Sequence, residues 1–352
     1  MRVFENNIRK VEPYVPGEQP QGNVIKLNTN ENPYPPAPGV KKVLEEMEAD
    51  RIRKYPDPTA SILVKELASY YGLNEDQVFV GVGSDDVLAM SFLTFFNSDK
   101  PVLFPDVTYS FYKVWADLFK VPFETPVLKE DFTIDVKDCE KENGGVIFPN
   151  PNAPTGVYMP LDQVEEILKA NQDVVVIVDE AYVDFAGPSA LELLDKYENL
   201  LVVQTFSKSR SMAGMRIGFA MGHPDLIRAL NDVKYSYNSY TMNLPSLLAG
   251  VEAVKDKEYF EKTIEKIVAT REHAKKRLTE LGFTFPNSQS NFIFASHKSV
   301  PAEKIFEALK KEQIYVRYFK TPGLDNSLRI SIGTDEEMDT LFRFLEAYLP
   351  NA

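Results

Sequence analysis

Apolar runs in the middle of the chain predict buried strands of a parallel sheet. The runs cover residues 146–148 (VIF), 174–178 (VVVIV) and 200–203 (LLVV). Branched aliphatic residues that follow one another without polar alternation are typical of strands covered on both faces. A segment between the first two runs carries Val164, Ile167 and Leu168 at helical spacing. This alternation of strand and helix predicts an α/β fold, in which ligands bind beyond the carboxyl ends of the strands.

The pattern changes on both sides of this central region. Downstream, a charged helical stretch at about 255–281 leads to apolar runs at 291–295, 314–319 and 328–333, with a helix around 301–312. That order predicts a smaller α+β domain. Upstream, the chain is too rich in Pro, Gly and Asn for regular structure, so we expect an arm that lies across the surface or enters a site.

The sequence therefore predicts three segments. Residues 1–28 form an N-terminal arm that packs with the small domain, residues 29–245 form a large domain with a mostly parallel, helix-flanked sheet, and residues 246–352 form the small domain. A chain of 352 residues favours more than one domain, because single cores rarely grow past about 250–300 residues.

Composition and charge exclude several classes of protein. Hydrophobic residues make up 44% of the chain, and no apolar run approaches the roughly 18 residues of a membrane span. The formal net charge of −13 argues against nucleic acid and anionic membranes as partners, so an anionic ligand needs a local cluster of cations. The first residues have no apolar region of signal-peptide length, and we expect a cytoplasmic protein.

Cysteine and histidine usage predicts neither a disulfide framework nor a metal site. Cys139 is the single cysteine, and one thiol cannot form an intrachain disulfide. His223, His273 and His297 have no partner at metal-ligand spacing, so we expect them to be surface or packing residues.

Polar residues follow two of the predicted strands, where such sheets bind their ligands. Asp179, Glu180 and Tyr182 follow the second run, and a carboxylate there stabilises a cation such as a protonated ring nitrogen. An Asp-Glu pair also suits a metal or a helix cap. Lys208 follows the third run, and a partly desolvated lysine in an electropositive site condenses with carbonyl groups. The alternative for Lys208 is a solvated surface residue.

Two further loops offer groups for an anion and for a polar ring substituent. The stretch GVGSDD places Gly83 and Ser84 before an apolar helix, whose first backbone N–H groups suit a phosphate. A turn with a helix cap explains this stretch equally well. The stretch NPNAPTG carries Asn150 and Asn152, whose amides both donate and accept hydrogen bonds, although an ordinary Pro/Asn turn is the alternative.

Taken together, the motifs NPNAPTG, DEAY and TFSKSRSMAGMRIGF resemble, in this order, those of the pyridoxal 5'-phosphate-dependent aminotransferases of fold type I. The stretches LNTNENPYPP, KYPDP, GVGSDD, DVTYSFY, SNFIF and LRISIGT extend the resemblance over essentially the whole chain. Within that group they look most like the histidinol-phosphate aminotransferases. The resemblance implies pyridoxal 5'-phosphate as the cofactor and a homodimer as the active unit.

The resemblance also implies a role for each matching residue. Lys208 resembles the lysine that binds the cofactor's aldehyde and shuttles the proton, Asp179 the partner of the pyridine N–H, and Tyr182 the donor to the phenolic oxygen. Tyr109 would stack on the ring. The groups expected at the phosphate are the backbone N–H groups of Ser84 and Asp85, the hydroxyl of Ser207, the guanidinium of Arg216, and Tyr55 from the neighbouring subunit.

One position departs from the family pattern. The family usually has asparagine directly before Pro-Thr-Gly, where it bonds the phenolic oxygen, and this chain has Ala153. A methyl group cannot make that bond. We expect that Asn152 replaces it after a small backbone shift, or that Tyr182 and a water bind the oxygen alone.

The substrate follows from the same resemblance. Arg329 would grip the substrate's anionic end, with Arg317, Tyr14 and Asn30 completing the substrate site. This implies transfer of an amino group between L-histidinol phosphate and 2-oxoglutarate in histidine biosynthesis. An aromatic amino-acid aminotransferase, with Tyr109, Phe111 and Tyr112 lining an apolar ring pocket, and a phosphothreonine decarboxylase are alternatives. A non-enzymatic alternative is a ligand-sensing module with the aminotransferase fold, although such regulators carry a basic DNA-binding domain and this chain is acidic.

Overall fold

Strands and helices alternate through the centre of the chain in the computed structural model, which describes residues 2–352. The strands are β1 (Ile25–Leu27), β2 (Val78–Gly81), β3 (Val102–Leu103), β4 (Phe123–Glu124), β5 (Gly145–Pro149), β6 (Val176–Asp179), β7 (Leu200–Thr205), β8 (Gly218–Gly222), β9 (Phe283–Thr284), β10 (Phe292–His297), β11 (Ile314–Tyr318) and β12 (Leu328–Ser331). The helices are α1 (Pro38–Glu46), α2 (Ser61–Tyr71), α3 (Ser84–Phe95), α4 (Phe111–Phe119), α5 (Leu161–Ala170), α6 (Pro224–Tyr237), α7 (Leu244–Lys255), α8 (Lys257–Glu280), α9 (Ala302–Lys311) and α10 (Asp335–Tyr348).

The larger sheet contains the three predicted runs as adjacent parallel strands. Its seven strands follow the order β2-β8-β7-β6-β5-β3-β4, and β8 is the strand that runs antiparallel to its neighbours. Every residue of β5, β6 and β7 is buried, as expected for strands covered on both faces. The predicted α/β fold with a mostly parallel sheet is therefore confirmed.

The smaller sheet gathers strands from both ends of the chain. Its order is β1-β11-β12-β10-β9, with β1 parallel to β11 and the remaining pairs antiparallel. The expectation that the arm lacks regular structure is wrong for β1. Ile25 and Leu27 lie opposite Ile314 and Val316, and this pairing with a preformed strand stabilises a segment too short to be recognised by its own pattern.

Helices cover both faces of the larger sheet and one side of the smaller sheet. In α8, the buried positions recur at Thr263, Ile267, Arg271, Ala274 and Leu278, which is one face of a helix. Among residues 2–352, no helix is both long and apolar enough to cross a membrane. The core of the small sheet includes residues of α8, α9 and α10.

Helix α7 lies at the predicted boundary between the large and small domains. Leu247, Ala249 and Val254 of this helix are buried in the core of the larger sheet, together with residues of α1 and α2. The core of the larger unit therefore extends past residue 245 along the chain. The division into an arm and two domains at residues 28 and 245 stays a prediction.

Candidate active site

Loops from several parts of the chain meet at the carboxyl ends of the parallel strands. Here they enclose a cavity of about 200 Å³. Asp179 ends β6, Lys208 follows β7, and Ser84 begins α3, so the topology of the sheet brings these distant residues to one edge. The sequence-predicted residues that line the cavity are Ser84, Asp85, Tyr109, Asp179, Tyr182, Ser207, Lys208 and Arg216.

Lys208 follows the carboxyl end of β7. The alternative to a reactive lysine at this position was a solvated surface residue. Its side chain is partly buried, and Nζ donates a hydrogen bond to the carbonyl of Thr29 at 3.1 Å. The ammonium group also lies 5.7 Å from the centre of the Tyr182 ring. Lys208 therefore faces the cavity rather than bulk solvent.

Asp179 supplies a carboxylate to the floor of the cavity. Its Oδ2 accepts a hydrogen bond from the hydroxyl of Tyr112 at 2.8 Å, and its Oδ1 accepts one from the backbone N–H of Ala181 at 3.2 Å. Burial raises the pKa of Asp179 to about 6, although these donors and the charge of Lys208 oppose the shift. A cationic partner in the cavity would lower this pKa and keep the group ionised.

The rim of the cavity near α3 contains the groups expected at an anion. Arg216 donates through Nη2 to Oδ2 of Asp85 at 3.2 Å and through Nη1 to the hydroxyl of Ser207 at 3.4 Å. The first N–H groups of α3 have no partner within the helix. At Gly83, where φ is +85°, a Cβ atom would lie 2.6 Å from Nη2 of Arg216. Glycine is therefore required for the guanidinium to approach the helix terminus.

Asp85 carries a carboxylate into this otherwise cationic rim. Oδ1 accepts a hydrogen bond from the hydroxyl of Tyr109 at 2.7 Å, while Oδ2 pairs with Arg216. Burial and the neighbouring carboxylate of Asp85 raise the pKa of Tyr109 well above its usual value. The Tyr109 hydroxyl is therefore a neutral donor that fixes the ring at the edge of the cavity.

Tyr182 is held from the opposite side by Asn30. Nδ2 of Asn30 donates to the Tyr182 oxygen at 2.9 Å, and Oδ1 of Asn30 accepts from the Ser331 hydroxyl at 2.9 Å. Both ends of this amide are thus engaged within the protein, and Asn30 does not line the cavity described above. In the structure Asn30 supports Tyr182, and the contact with the substrate that the sequence suggested stays a prediction.

Asn152 is likewise engaged away from the cavity. Its Nδ2 donates to the carbonyl of Val107 at 2.9 Å and to the hydroxyl of Thr155 at 3.1 Å. Ala153 lines the cavity instead. Both amide protons of Asn152 are used in holding the loop. This favours the second expectation, in which Tyr182 and a water bind the phenolic oxygen alone, and that binding stays a prediction.

Arg317 and Arg329 form a pair on one face of the small sheet. They lie directly opposite each other on the antiparallel strands β11 and β12, and both guanidinium groups lie over the ring of Phe319, at 5.4 and 5.6 Å from its centre. Arg329 donates through Nη2 to the carbonyl of Asn28 at 3.2 Å, and its buried Nε has no protein partner within residues 2–352. Burial lowers the pKa of Arg329 from its usual value.

The N-terminal arm contacts Arg317. Arg317 donates to the carbonyls of Val15 and Pro16 at 3.1 and 3.3 Å, and Tyr14 stacks on Phe111 with ring centres 4.2 Å apart. Arg317 is thus bound to the two residues that follow Tyr14 in the arm, and the shared role of Tyr14 and Arg317 at the substrate stays a prediction. Neither they nor Arg329 line the cavity beside Lys208.

Tyr55 lies away from the cavity of its own chain. Its side chain is 83% exposed and packs against Tyr240, with ring centres 4.6 Å apart. A role at the cofactor's phosphate would therefore have to be exercised in a second copy.

Thr29 and Glu31 also line the cavity, and only their place in the motif LNTNENPYPP pointed to them. No sequence pattern indicated a role for Arg210. Arg210 is buried, donates to the carbonyl of Ala253 at 2.8 Å and lies 4.2 Å from the centre of the Phe260 ring, so it fixes the loop after Lys208 to α7 and α8.

Comparisons with known proteins agree with this geometry. The model of the family "Aminotransferase class I and II" matches residues 22–345. A relative from Brachyspira hyodysenteriae named histidinol-phosphate aminotransferase is 52% identical and covers 100% of both chains. The crystal structure of the histidinol-phosphate aminotransferase from Clostridium acetobutylicum has a TM-score of 0.86 at 23% identity, and covers 94% of this chain and 100% of that chain. The histidinol-phosphate aminotransferase from Sinorhizobium meliloti, solved in complex with pyridoxal-5'-phosphate, has a TM-score of 0.83 at 24% identity and covers 92% of this chain and 91% of that chain.

Proposed function

The chain belongs to the aminotransferase class I and II family, and on that premise we propose that it transfers the amino group of L-histidinol phosphate to 2-oxoglutarate. The products are imidazole acetol phosphate and glutamate, and the reaction is a step of histidine biosynthesis. The observation that carries this proposal is the cross-strand pair of Arg317 and Arg329. Two guanidinium groups on one face match the two negative charges of a phosphate ester.

The cavity beside Lys208 fits pyridoxal 5'-phosphate as the cofactor. Lys208 offers an amine for the aldehyde, Asp179 a buried carboxylate for the ring N–H, Tyr182 a phenol for the phenolic oxygen, and Arg216 a guanidinium for the phosphate. When bound, pyridoxal 5'-phosphate serves as an electron sink that makes the α-proton of an amino substrate removable. The absence of a side chain at Gly83 lets the guanidinium of Arg216 approach the first N–H groups of α3, where the anionic end of such a molecule would bind.

We assign the proton transfer to Nζ of Lys208. With the cofactor bound, Nζ would accept the proton from the substrate carbon that bears nitrogen and would then donate it, and the cofactor would supply the carbon that receives it. Its position supports this assignment, because the hydrogen bond to the carbonyl of Thr29 holds Nζ beside the cavity. Asp179 would balance the positive charge of the ring nitrogen of the bound cofactor.

Tyr182 offers a hydrogen-bond donor to the cavity. Its oxygen accepts a hydrogen bond from Nδ2 of Asn30, so its own O–H remains free to donate. We propose that this O–H binds the phenolic oxygen of the cofactor. The methyl group of Ala153, which lines the same cavity, makes no competing bond.

Two of the three aromatic residues that could have favoured phenylalanine as a substrate pack against the protein instead, whereas the third, Tyr109, lines the cavity. Tyr112 is fully buried and donates to Asp179, while Phe111 is stacked between Tyr14 and Trp115. This weakens the alternative of an aromatic amino-acid aminotransferase. The two arginines suit phosphothreonine as well as histidinol phosphate, so the decarboxylase alternative has to be separated by experiment.

We also propose that the active unit is a homodimer. Apolar and aromatic side chains are exposed near the chain segment that carries Tyr55, and they include Ile52, Tyr237 and Tyr240. A second copy is the occupant that fits, because Tyr55 lies outside its own cavity and would reach the phosphate of its neighbour. The cytoplasmic location expected from the sequence stays a prediction.

The decisive test compares single half-reactions. Enzyme loaded with pyridoxal 5'-phosphate is mixed with histidinol phosphate, phenylalanine or phosphothreonine, and the cofactor's absorbance is followed. Loss of absorbance should be at least about 10-fold more efficient with histidinol phosphate than with phenylalanine, since a second guanidinium contact to phosphate contributes roughly 1.5–3 kcal/mol. Equal or better efficiency with phenylalanine, or release of carbon dioxide from phosphothreonine, would refute the substrate assignment.

A matched pair of variants ties the result to the arginine pair. Arg317→Gln should reduce the efficiency with histidinol phosphate and leave that with phenylalanine nearly unchanged. Arg343→Gln, on the exposed face of α10, makes the same chemical change far from the small-sheet pair and should change neither. A ligand-sensing module would bind histidinol phosphate without forming glutamate from 2-oxoglutarate, and a gel-shift assay would then show DNA binding.

A further inference from the structure

Tyr112 lies beneath the cavity, on α4. Its side chain is fully buried, and its hydroxyl donates to Oδ2 of Asp179 at 2.8 Å. The backbone N–H of Ala181 donates to the other oxygen of the same carboxylate at 3.2 Å. The plane of the Asp179 carboxylate is therefore fixed from two sides, by a neighbouring loop and by a helix from a different part of the chain.

The side chains around the Tyr112 ring are aromatic and would suit a phenylalanine equally well. Its ring packs among the aromatic rings of Phe92, Phe104 and Trp115, with centres 5.8–6.4 Å apart. A hydroxyl in such a cluster is destabilising unless it has a partner, because it has lost its bonds to water. Within residues 2–352 its partner is the Asp179 carboxylate, which makes this bond the reason for a tyrosine at the position.

We propose that Tyr112 is a positioning residue for the reaction, whose hydroxyl holds the Asp179 carboxylate in the orientation that meets the ring nitrogen of the bound cofactor. This inference rests on the proposed use of pyridoxal 5'-phosphate. It assigns Tyr112 no contact with substrate or cofactor. The residue acts through Asp179.

The charges around Asp179 explain why the carboxylate needs this donor. Asp85 on α3 faces it as a like charge, Lys208 after β7 as an opposite charge, and Tyr112 as a hydrogen-bond donor. Burial raises the pKa of Asp179 to about 6, and the Tyr112 hydroxyl opposes that rise. Without the hydroxyl the pKa of Asp179 is higher, so a larger share of the carboxyl groups is neutral near pH 6.5 and cannot balance a ring N–H cation.

The test measures binding of pyridoxal 5'-phosphate to the cofactor-free protein. Trp115 is the chain's single tryptophan and its ring centre lies 6.2 Å from that of Tyr109, so quenching of its fluorescence reports binding without turnover. Tyr112→Phe should raise Kd about 10-fold or more at pH 6.5, the loss expected for a hydrogen bond to a charged group. The loss should shrink at pH 8.5, because Asp179 is then ionised in both proteins.

Tyr71→Phe is the matched control. Tyr71 is a tyrosine whose hydroxyl donates to Oε1 of Gln204 at 2.8 Å, outside the cavity. It should change Kd by less than about twofold at either pH. A Kd for Tyr112→Phe that matches this control, or a loss that does not depend on pH, overturns the inference.

A double variant separates an effect of Tyr112 on Asp179 from an effect of Tyr112 on the fold. In Asp179→Asn the carboxylate is absent, so adding Tyr112→Phe should change Kd by less than about twofold. The same loss in both backgrounds would show that Tyr112 acts through the fold and not through Asp179. Wild-type protein that fails to bind pyridoxal 5'-phosphate contradicts the proposed function itself, whereas binding by the wild type with no effect of Tyr112→Phe contradicts this inference alone.

Discussion

Arg216→Gln separates phosphate binding from the stability of the fold. Arg216 reaches Asp85 at 3.2 Å and Ser207 at 3.4 Å, at the helix terminus where we place the cofactor's phosphate. Glutamine keeps part of the length and polarity of the side chain but removes its charge. The variant therefore tests the role of the guanidinium as a counter-charge to an anion.

The variant should lose much more binding free energy than free energy of unfolding. The side chains of Arg216 and Asp85 are 43% and 41% exposed, so their ion pair contributes about 0–1 kcal/mol to the free energy of unfolding. A charge-assisted bond to a bound phosphate contributes roughly 1.5–3 kcal/mol, which corresponds to about a 10- to 150-fold change in Kd. Binding should therefore suffer much more than stability.

The assay is a cycle of two proteins and two ligands. Binding of pyridoxal 5'-phosphate and of pyridoxal, which lacks the phosphate, is measured by fluorescence of Trp115 with wild type and with Arg216→Gln. The variant should lose affinity for the phosphorylated ligand and keep its affinity for pyridoxal within about twofold. Arg228→Gln changes an exposed arginine paired with Asp225 on α6 and serves as the control with no expected effect.

An equal loss for both ligands would refute the reasoning. Arg216 would then support the shape of the cavity rather than the phosphate. A fall of several kcal/mol in the free energy of unfolding would point the same way, because it would exceed what a half-exposed ion pair contributes.

Three further outcomes follow from the same structure. Lys208→Ala should bind pyridoxal 5'-phosphate reversibly, should no longer be labelled by it after borohydride reduction, and should lose turnover. Labelling of another residue with retained turnover contradicts the assignment. Tyr55→Phe should leave the mass of the proposed homodimer unchanged in light scattering and raise Kd for the cofactor several-fold; an unchanged Kd removes Tyr55 from the phosphate site. Arg210→Met should lower the free energy of unfolding by about 2 kcal/mol in urea titrations, because the buried carbonyl of Ala253 loses a charged donor. A free energy of unfolding equal to that of the wild type rejects an anchoring role for Arg210.

Sequence patterns were sufficient for the residues that the strands carry to the edge of the sheet. The runs before Asp179 and Lys208 specify parallel strands, and the carboxyl ends of such strands meet in space whatever their separation along the chain. The Gly-rich turn before Ser84 follows the same logic at a helix terminus. These positions needed only local pattern and topology.

The partners of these residues could not be predicted because they depend on packing between distant elements. Tyr112 appeared as one aromatic residue among several, and its bond to Asp179 exists only because α4 packs beneath the end of β6. Asn152 looked available for a ligand until the fold placed its amide against Val107 and Thr155. Side-chain hydrogen bonds of this kind are set by tertiary geometry, which a linear pattern does not contain.

The strand that the sequence pattern missed connects the small sheet to the cavity. Beyond β1, three consecutive residues each contact a different part of the site: the carbonyl of Asn28 accepts from Arg329, that of Thr29 accepts from Lys208, and the amide of Asn30 donates to Tyr182. Asn30 has a φ of +57°, a conformation that asparagine tolerates better than most residues, so the chain turns sharply enough to face both sides. Because β1 pairs in register with the strand that carries Arg317, any shift of the small sheet moves these three contacts together. Under the proposed function, this backbone ladder would set the distance between the arginine pair and Lys208, so that a substrate held at its phosphate presents its amino carbon to Lys208.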